Sequence, residues 1–345
     1  MVVRWGVIGA GGIADRRTIP EGITKARDTK LVAVMDVDEA RARAVGEKYR
    51  CEAYSREEDL LSRDDIDAVY IATPTHLHHQ QALLAFNAGK HVLCEKPLAL
   101  TLKEAEDMVG KAETAGLTLA VGFMMRFHAH HVRLKEMINK GELGDPVLGR
   151  AQLTCWYPDI PGAWRQVAEL GGGGALMDMG SHCVDLLEMF MGRVVKVSAF
   201  NATLTHKYEV EDSSVVALQF ENGAFGIVDN NFNIPDASAL NVLEVYGTRG
   251  SVEARGTIGQ SSLGRMIARV EKEKRGYEAA QRREDSSEEQ VEVAPVNIYQ
   301  AEIEDVNAAI REGHKPTNPG ERGLWNLRVM LAAYQSAREG RTILL

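Results

Sequence analysis

Cysteine is scarce in this sequence. The 345 residues include only Cys51, Cys94, Cys155 and Cys183, none within a C-x-x-C pair. Zinc-ribbon and disulfide-framework readings fall away, leaving free thiols of a reducing compartment. A basic excess is also missing. Forty Lys and Arg stand against 49 Asp and Glu, for a net charge of −9, which argues against a nucleic-acid partner. No apolar run is long enough to span a bilayer. The opening MVVRWGVIGAGG is a strand followed by a glycine turn, without the charged and long apolar regions of a secretory leader. The expectation is a cytoplasmic protein with no membrane partner.

What is present is a chain too long for one ordinary core, so two domains are expected. Short, nearly continuous apolar runs at Val2–Ile8, Leu31–Met35, Ala68–Ala72, His91–Cys94 and Leu117–Val121 alternate with helical patterns such as Gln80–Asn87 and Lys103–Ala115. Strands of that kind separated by helices imply a parallel sheet covered on both faces, a doubly wound α/β domain over residues 1–122. Beyond it the pattern changes. Four glycines at Gly171–Gly174 precede a helix pattern over Ala175–Met191 that stops at Gly192. Strand patterns follow at Val194–Thr205, Ser213–Phe220, Ala224–Phe232, Asn241–Tyr246 and Ser251–Arg255, with turns at Glu221–Gly223 and Thr248–Gly250. Tight turns between successive strands predict a large open, mainly antiparallel sheet in an α+β domain over 123–345. The polar stretch Arg265–Gln290 reads as a solvated helix or loop. Helices near Ile298–Arg311 and Glu321–Ala337 close the chain.

Gly9-Ala10-Gly11-Gly12-Ile13-Ala14 fits G-x-G-x-x-[GA] between a predicted strand and a predicted helix. Gly9 permits the tight turn, Gly11 lets backbone approach a pyrophosphate, and Ala14 lets the helix pack on the strand. The helix start offers unpaired N–H groups to phosphate. Asp36 ends the second strand, where a carboxylate binds ribose hydroxyls and repels a 2′-phosphate, so NAD is expected over NADP. A helix cap before Glu39–Lys48 is the competing reading for Asp36.

The reacting residues need their own argument. No tyrosine is followed by lysine four residues on, which removes the Tyr-x-x-x-Lys design of short-chain dehydrogenases. Asp178 and His182 lie four apart on the predicted helix and so share a face, with Asp185 three further. Alcohol oxidation needs a base near neutral pH, and a carboxylate beside an imidazole orients it. Gly180 between them leaves room for a substrate. Lys96, in Glu95-Lys96-Pro97, follows a buried strand, at the end of the sheet where ligands bind, and its charge suits a developing alkoxide. Surface pairing of Asp178 with His182, or of Glu95 with Lys96, is the plainer account of each alone. Histidines cluster at His76, His78, His79 and at His128, His130, His131; a solvated cluster outweighs a metal site, and no metal is expected.

Taken in order, GAGGIA (9–14), ATPTHLHHQQALLAFNAGKHVLCEKPLA (72–99), VGFMMRF (121–127) and AWRQVAELGGGGALMDMGSHCVDLLEMFMG (163–192) resemble the Gfo/Idh/MocA family, the glucose–fructose oxidoreductase and inositol dehydrogenase-like oxidoreductases. The similarity continues to YQSAREG at 334–340. His128-Ala129 departs from it, where the family often has proline two residues after Arg-Phe. The resemblance implies a Rossmann domain, a second domain whose sheet makes oligomer contacts, and NAD-dependent hydride transfer at a CH–OH carbon of a sugar or cyclitol. It assigns Lys96, Asp178 and His182 to catalysis, with His182 the proton acceptor. Thr73, Pro74, His78, Glu95 and Lys96 line the nicotinamide half, and Trp164 and Arg165 reach the cofactor from the second domain. A homodimer or homotetramer follows. The alternatives are an NADP-dependent sugar or anhydrosugar reductase, or a nicotinamide-binding sensor without turnover. The intact Lys96, Asp178 and His182 set argues against the sensor. Tyr157, Asp159 and Arg16 are further pocket residues to locate.

Overall fold

In the computed structural model, residues 1–271, 277, 279 and 288–345 are described. Contacts divide the chain into two compact units. One comprises 1–124, 162–172 and 297–328; the other comprises 125–161, 173–296 and 329–345.

The first unit is built on six strands, β1 (Val3–Ile8), β2 (Thr29–Met35), β3 (Glu52–Tyr54), β4 (Ala68–Ile71), β5 (His91–Cys94) and β6 (Leu119–Val121). They are ordered β3-β2-β1-β4-β5-β6, and every pair is parallel. The order reverses between β1 and β4, which opens a crevice at the carboxyl ends of those strands. β4 and the last four residues of β1 are buried throughout, as their unbroken apolar runs require. The sequence reading missed β3. Glu-Ala-Tyr is a short edge strand with exposed residues, so it carries no apolar signal. Helix Leu102–Ala115 starts in a reciprocal cap, with Thr101 accepting from the Glu104 N–H and Glu104 reaching back to the Thr101 N–H.

The second unit holds nine strands: β7 (Pro146–Thr154), β8 (Val194–Ala202), β9 (Ser213–Phe220), β10 (Phe225–Asn231), β11 (Val242–Gly247), β12 (Gly250–Arg255), β13 (Arg265–Val270), β14 (Glu288–Gln290) and β15 (Ile343–Leu344). Their order is β14-β13-β12-β11-β7-β10-β9-β8-β15. All pairs are antiparallel except β7 with β10. The solvated reading of Arg265–Gln290 is corrected at both ends. Met266 and Ala268 are buried in a period-two pattern that the surrounding charges masked, and Glu288–Gln290 pairs with β13. Residues 272–276, 278 and 280–287 lie outside the described set. Central β7 also escaped the sequence reading, because Gly149 and Arg150 interrupt its apolar pattern.

One face of this sheet is covered. Val216, Leu218, Val228, Leu243, Val245 and Val252 are buried, and the helix Ser181–Met191 packs across β7. Gly149 is pressed against Leu187 and Met191.

Candidate active site

Within the first unit, the predicted cofactor residues gather at the carboxyl ends of β1, β2, β4 and β5. Gly9 has φ +88°, and an added Cβ would meet the Ala72 carbonyl at 2.9 Å. Gly12 has φ +53° and faces open space, room into which a phosphate could approach the backbone. Gly11 is held differently. Its N–H donates to the Asp36 carboxylate at 3.2 Å, and Arg41 occupies the place a Cβ would need. Ile13 stands just ahead of the helix Ala14–Ile23 without a capping side-chain bond, and Ala14 is wholly buried in the core, as close helix–strand packing demands. Arg16 donates to the Gly12 carbonyl at 3.1 Å.

Asp36 is not the helix cap. That role belongs to Asp38, which accepts from the Arg41 N–H. The buried Asp36 carboxylate instead takes the N–H groups of Gly11 and Asp38 and the Arg41 guanidinium, the last at 3.2 Å.

The β4 and β5 loops are tied by His78, which is buried and reaches the Thr73 carbonyl at 2.9 Å and the Pro97 carbonyl at 3.0 Å. Burial pushes its imidazole down to about 4; the neutral ring carries one N–H and donates it to one of the two carbonyls, packing beside the other. Thr73 is fixed through Gln81 at 2.6 Å, and Pro74 begins the helix Thr75–Asn87. Glu95 accepts from the Tyr70 hydroxyl, which in turn accepts from Thr18 at 3.0 Å. Burial raises the Glu95 carboxyl, while Tyr70, Lys96 and Arg165 oppose the shift. Lys96, half-buried, therefore follows an anchored neighbour. Trp164 and Arg165 fall in the first unit, which corrects their placement in the second. The Arg165 guanidinium lies 4.1 Å from the Trp164 ring centre, and its charge reaches Glu95.

In the second unit, Asp178 and His182 lie on one helix, wound as a π turn over Leu176–Gly180 and as α over Ser181–Met191. Residues four apart stay on one side across such a junction. His182 is 6% exposed and Asp178 half-buried. The stripe Leu176, Met179, Cys183, Leu186, Leu187 and Phe190 is buried as expected. Gly180 does not make room for substrate. A Cβ there would stand 2.7 Å from Asn230 Oδ1 and 2.8 Å from Leu176, so glycine allows the helix to press on β10. Asp185 is committed elsewhere: its buried carboxylate takes the Arg126 Nε at 2.7 and 2.9 Å, while Arg126 Nη2 donates to its backbone carbonyl.

The helix start is capped by a residue that the sequence reading missed. Glu211 accepts from the Gly174 N–H at 3.0 Å, the Leu176 N–H at 2.9 Å and the Tyr334 hydroxyl at 2.7 Å. A side chain at Gly173 would strike Tyr334, and one at Gly174 the Glu211 carbonyl; close approach accounts for these glycines. Only a Glu-Asp pair ahead of β9 signalled this cap.

His128, His130 and His131 pack as rings, with centroids 5.4 and 4.9 Å from His128. His128 Nδ1 accepts from the His130 N–H, while His131 bridges the Met125 carbonyl at 2.7 Å and Thr257 at 3.0 Å. Burial lowers all three, His131 to about 3. Their bonds are structural. His79 pairs with Asp107. Among the described residues, no group of three or more His, Cys, Asp or Glu is placed to hold a metal ion, and no helix is long and apolar enough to cross a membrane.

Comparison with known proteins accords with this layout. The model of the Gfo/Idh/MocA oxidoreductase family, with NAD-binding Rossmann fold, matches residues 3–123, and that of the Gfo/Idh/MocA C-terminal domain matches 131–253. The chain is 31% identical over 342 residues to the 1,5-anhydro-D-fructose reductase of Ensifer adhaerens, covering 98% of this chain and 97% of the relative. The structure of aldose-aldose oxidoreductase from Caulobacter crescentus, complexed with glycerol, superposes with TM-score 0.89 at 28% identity over 100% of both chains. The WlbA dehydrogenase from Bordetella pertussis, in complex with NADH and UDP-GlcNAcA, superposes with TM-score 0.83 at 27% identity, covering 100% of this chain and 99% of that one. With both family models matched in order and a relative aligned along nearly its whole length, this chain belongs to the Gfo/Idh/MocA family of NAD(P)-binding Rossmann oxidoreductases.

Proposed function

We propose that the protein transfers a hydride between nicotinamide and a secondary alcohol or ketone carbon of a sugar, sugar derivative or cyclitol. What carries this reading is one chain that pairs a Gly9–Gly12 phosphate cradle with a buried imidazole four residues from a carboxylate. The relatives' names supply the carbohydrate class. Nicotinamide, when bound, supplies the hydride acceptor. The Gly12 backbone and the start of the helix Ala14–Ile23 hold its pyrophosphate. Asp36 takes ribose hydroxyls. Thr73, Pro74, Glu95, Trp164 and Arg165 shape the nicotinamide half, with His78 bracing it from within. His182 accepts the hydroxyl proton, Asp178 orients the imidazole and substrate, and Lys96 stabilises charge on the reacting oxygen. The first unit is the cofactor domain; the second serves substrate and assembly. Four free cysteines suit the cytoplasm.

NAD binds more tightly than NADP, by about tenfold or more, because the buried Asp36 carboxylate meets a 2′-phosphate as a like charge. Fluorescence titration with both cofactors measures this. Equal or tighter NADP binding contradicts it and favours the NADP-dependent reductase reading, for which Arg41 beside Asp36 is the available cation.

The chain assembles as a homodimer or homotetramer through the uncovered sheet face. Phe200 is 79% and Phe225 56% exposed. Phe200 lies opposite Val215, Ala217 opposite Ile227, and Phe225 opposite Leu148, which faces Tyr246. This continuous apolar stripe is self-complementary material for a two-fold interface. Light scattering is expected to show a dimer or tetramer at micromolar concentration, reduced by Phe225→Glu; a monomeric parent protein contradicts the assignment.

A further inference from the structure

A tyrosine sits inside the core of the first unit. Tyr70, on β4, is fully buried in a cluster with Trp5, Leu93, Ala120, Ile303 and Val306. A phenol hydroxyl taken out of water costs free energy unless it finds hydrogen-bond partners. This one finds two. It accepts from the Thr18 hydroxyl at 3.0 Å and donates to the Glu95 carboxylate at Oε1. Burial, then the charge of Glu95, hold Tyr70 well above the usual phenol range, so it stays the donor of the pair.

This polar chain joins two segments of the cofactor site. Thr18 belongs to the helix Ala14–Ile23, which follows the glycine turn. Glu95 directly precedes Lys96. The Glu95 carboxylate packs against Gly122, where a Cβ would stand 3.2 Å from its carboxyl carbon and from Oε2. The Glu95 N–H donates to the Ile71 carbonyl at 2.9 Å. Burial raises the Glu95 carboxyl, and the Tyr70 hydroxyl leads the groups that oppose the shift, ahead of the charge and N–H of Lys96. On the far side of Lys96, the Pro97 carbonyl lies 3.0 Å from His78 Nδ1. Lys96 therefore stands between two residues that buried side chains hold, Glu95 by Tyr70 and Pro97 by His78.

A cation that stabilises charge on a reacting oxygen is effective when its position is fixed before the reaction begins. We propose that Tyr70 is a positioning residue for Lys96: the Thr18–Tyr70–Glu95 chain fixes the Lys96 segment relative to the helix that follows the glycine turn. The Tyr70 side chain is sealed from solvent, so it acts through Glu95 and not on a ligand. This rests on the role given to Lys96 in the oxidoreductase reading above.

Tyr70→Phe and Thr18→Val remove the two hydroxyls and keep the ring and the branched shape; near-ultraviolet circular dichroism checks that both variants fold. First, protein without cofactor is reductively methylated with formaldehyde and cyanoborohydride, and labelling of each lysine is read by peptide mass spectrometry. Lys96 should label about threefold faster or more in both variants, because its segment opens more readily. Lys90, held by the Arg63 and Ile66 carbonyls, should label at the parental rate. Second, steady-state kinetics with D-glucose, 1,5-anhydro-D-fructose and myo-inositol, with the matching oxidised or reduced nicotinamide, are run as a double-mutant cycle. Tyr70→Phe should lower kcat about tenfold and leave KM and NADH affinity within about threefold. In a Lys96→Ala background it should lower kcat no further, since its effect passes through Lys96. Unaltered Lys96 labelling, an unchanged kcat, or an equal loss with and without Lys96 overturns the positioning role while leaving the oxidoreductase reading intact. A parent protein that binds NADH and turns over none of these substrates removes the reading and the positioning role together.

Discussion

Replacing His182 by alanine is expected to lower turnover by roughly 10²–10⁴-fold, the scale of a positioned acid–base group. The argument begins with placement. His182 is nearly buried, four residues after a half-buried Asp178, on a helix whose first N–H groups are held by Glu211. The apolar stripe beside them is fully packed, so the pair has little freedom to drift. Cofactor affinity should barely change, because the glycine turn and Asp36 belong to the other unit. With chemistry limiting, the oxidation rate of the parent rises with pH as the imidazole gives up its proton. The variant should lack that limb. A folded His182→Ala protein that binds NAD and turns over at the parental rate would remove His182 from the mechanism and leave the pair a structural feature of the helix.

The largest expected effect on stability comes from Arg126→Ala. Both partners of the Arg126–Asp185 pair are nearly excluded from water, with side chains 6% and 2% exposed. Removing the guanidinium leaves a buried carboxylate one turn beyond His182 without its counter-charge. The cost is about 3–5 kcal/mol, far above that of an exposed pair. The thermal midpoint should fall by roughly 6–20 °C for a unit of this size. Replacing the pair together, by Arg126→Met with Asp185→Leu, should restore most of the loss, since the penalty lies in the orphaned charge. Urea unfolding that places Arg126→Ala within about 1 kcal/mol of the parent would show that the pair carries no such weight.

Much of this layout was legible in the sequence because the signals were local. The runs that became β1, β2, β4, β5 and β6 are apolar on both faces, as buried parallel strands must be. The glycine turn and Asp36 lie close together in the chain. The stripe from Leu176 to Phe190 has helical spacing, and a π turn did not disturb it. What escaped depends on partners distant in sequence. Glu211 is an ordinary loop acid until folding sets it against Gly174, Leu176 and Tyr334. Gly180 looked like space for a ligand, because its neighbour Asn230 arrives from a strand 50 residues away. β13 was hidden by the charges that flank its two buried side chains. Trp164 and Arg165 were placed in the second domain on the family resemblance, whereas contacts group them with the first unit.

The most direct test of the account is a panel of aldoses, anhydrosugars and inositols, each supplied to the purified protein with NAD and read at the absorbance band of reduced nicotinamide. Reduction of NAD by at least one ring substrate, lost in His182→Ala, is the predicted result. A protein that binds NAD yet reduces it with no member of the panel, and oxidises NADH with none of the corresponding ketoses or keto-sugars, would contradict the central claim and support a nicotinamide-binding sensor.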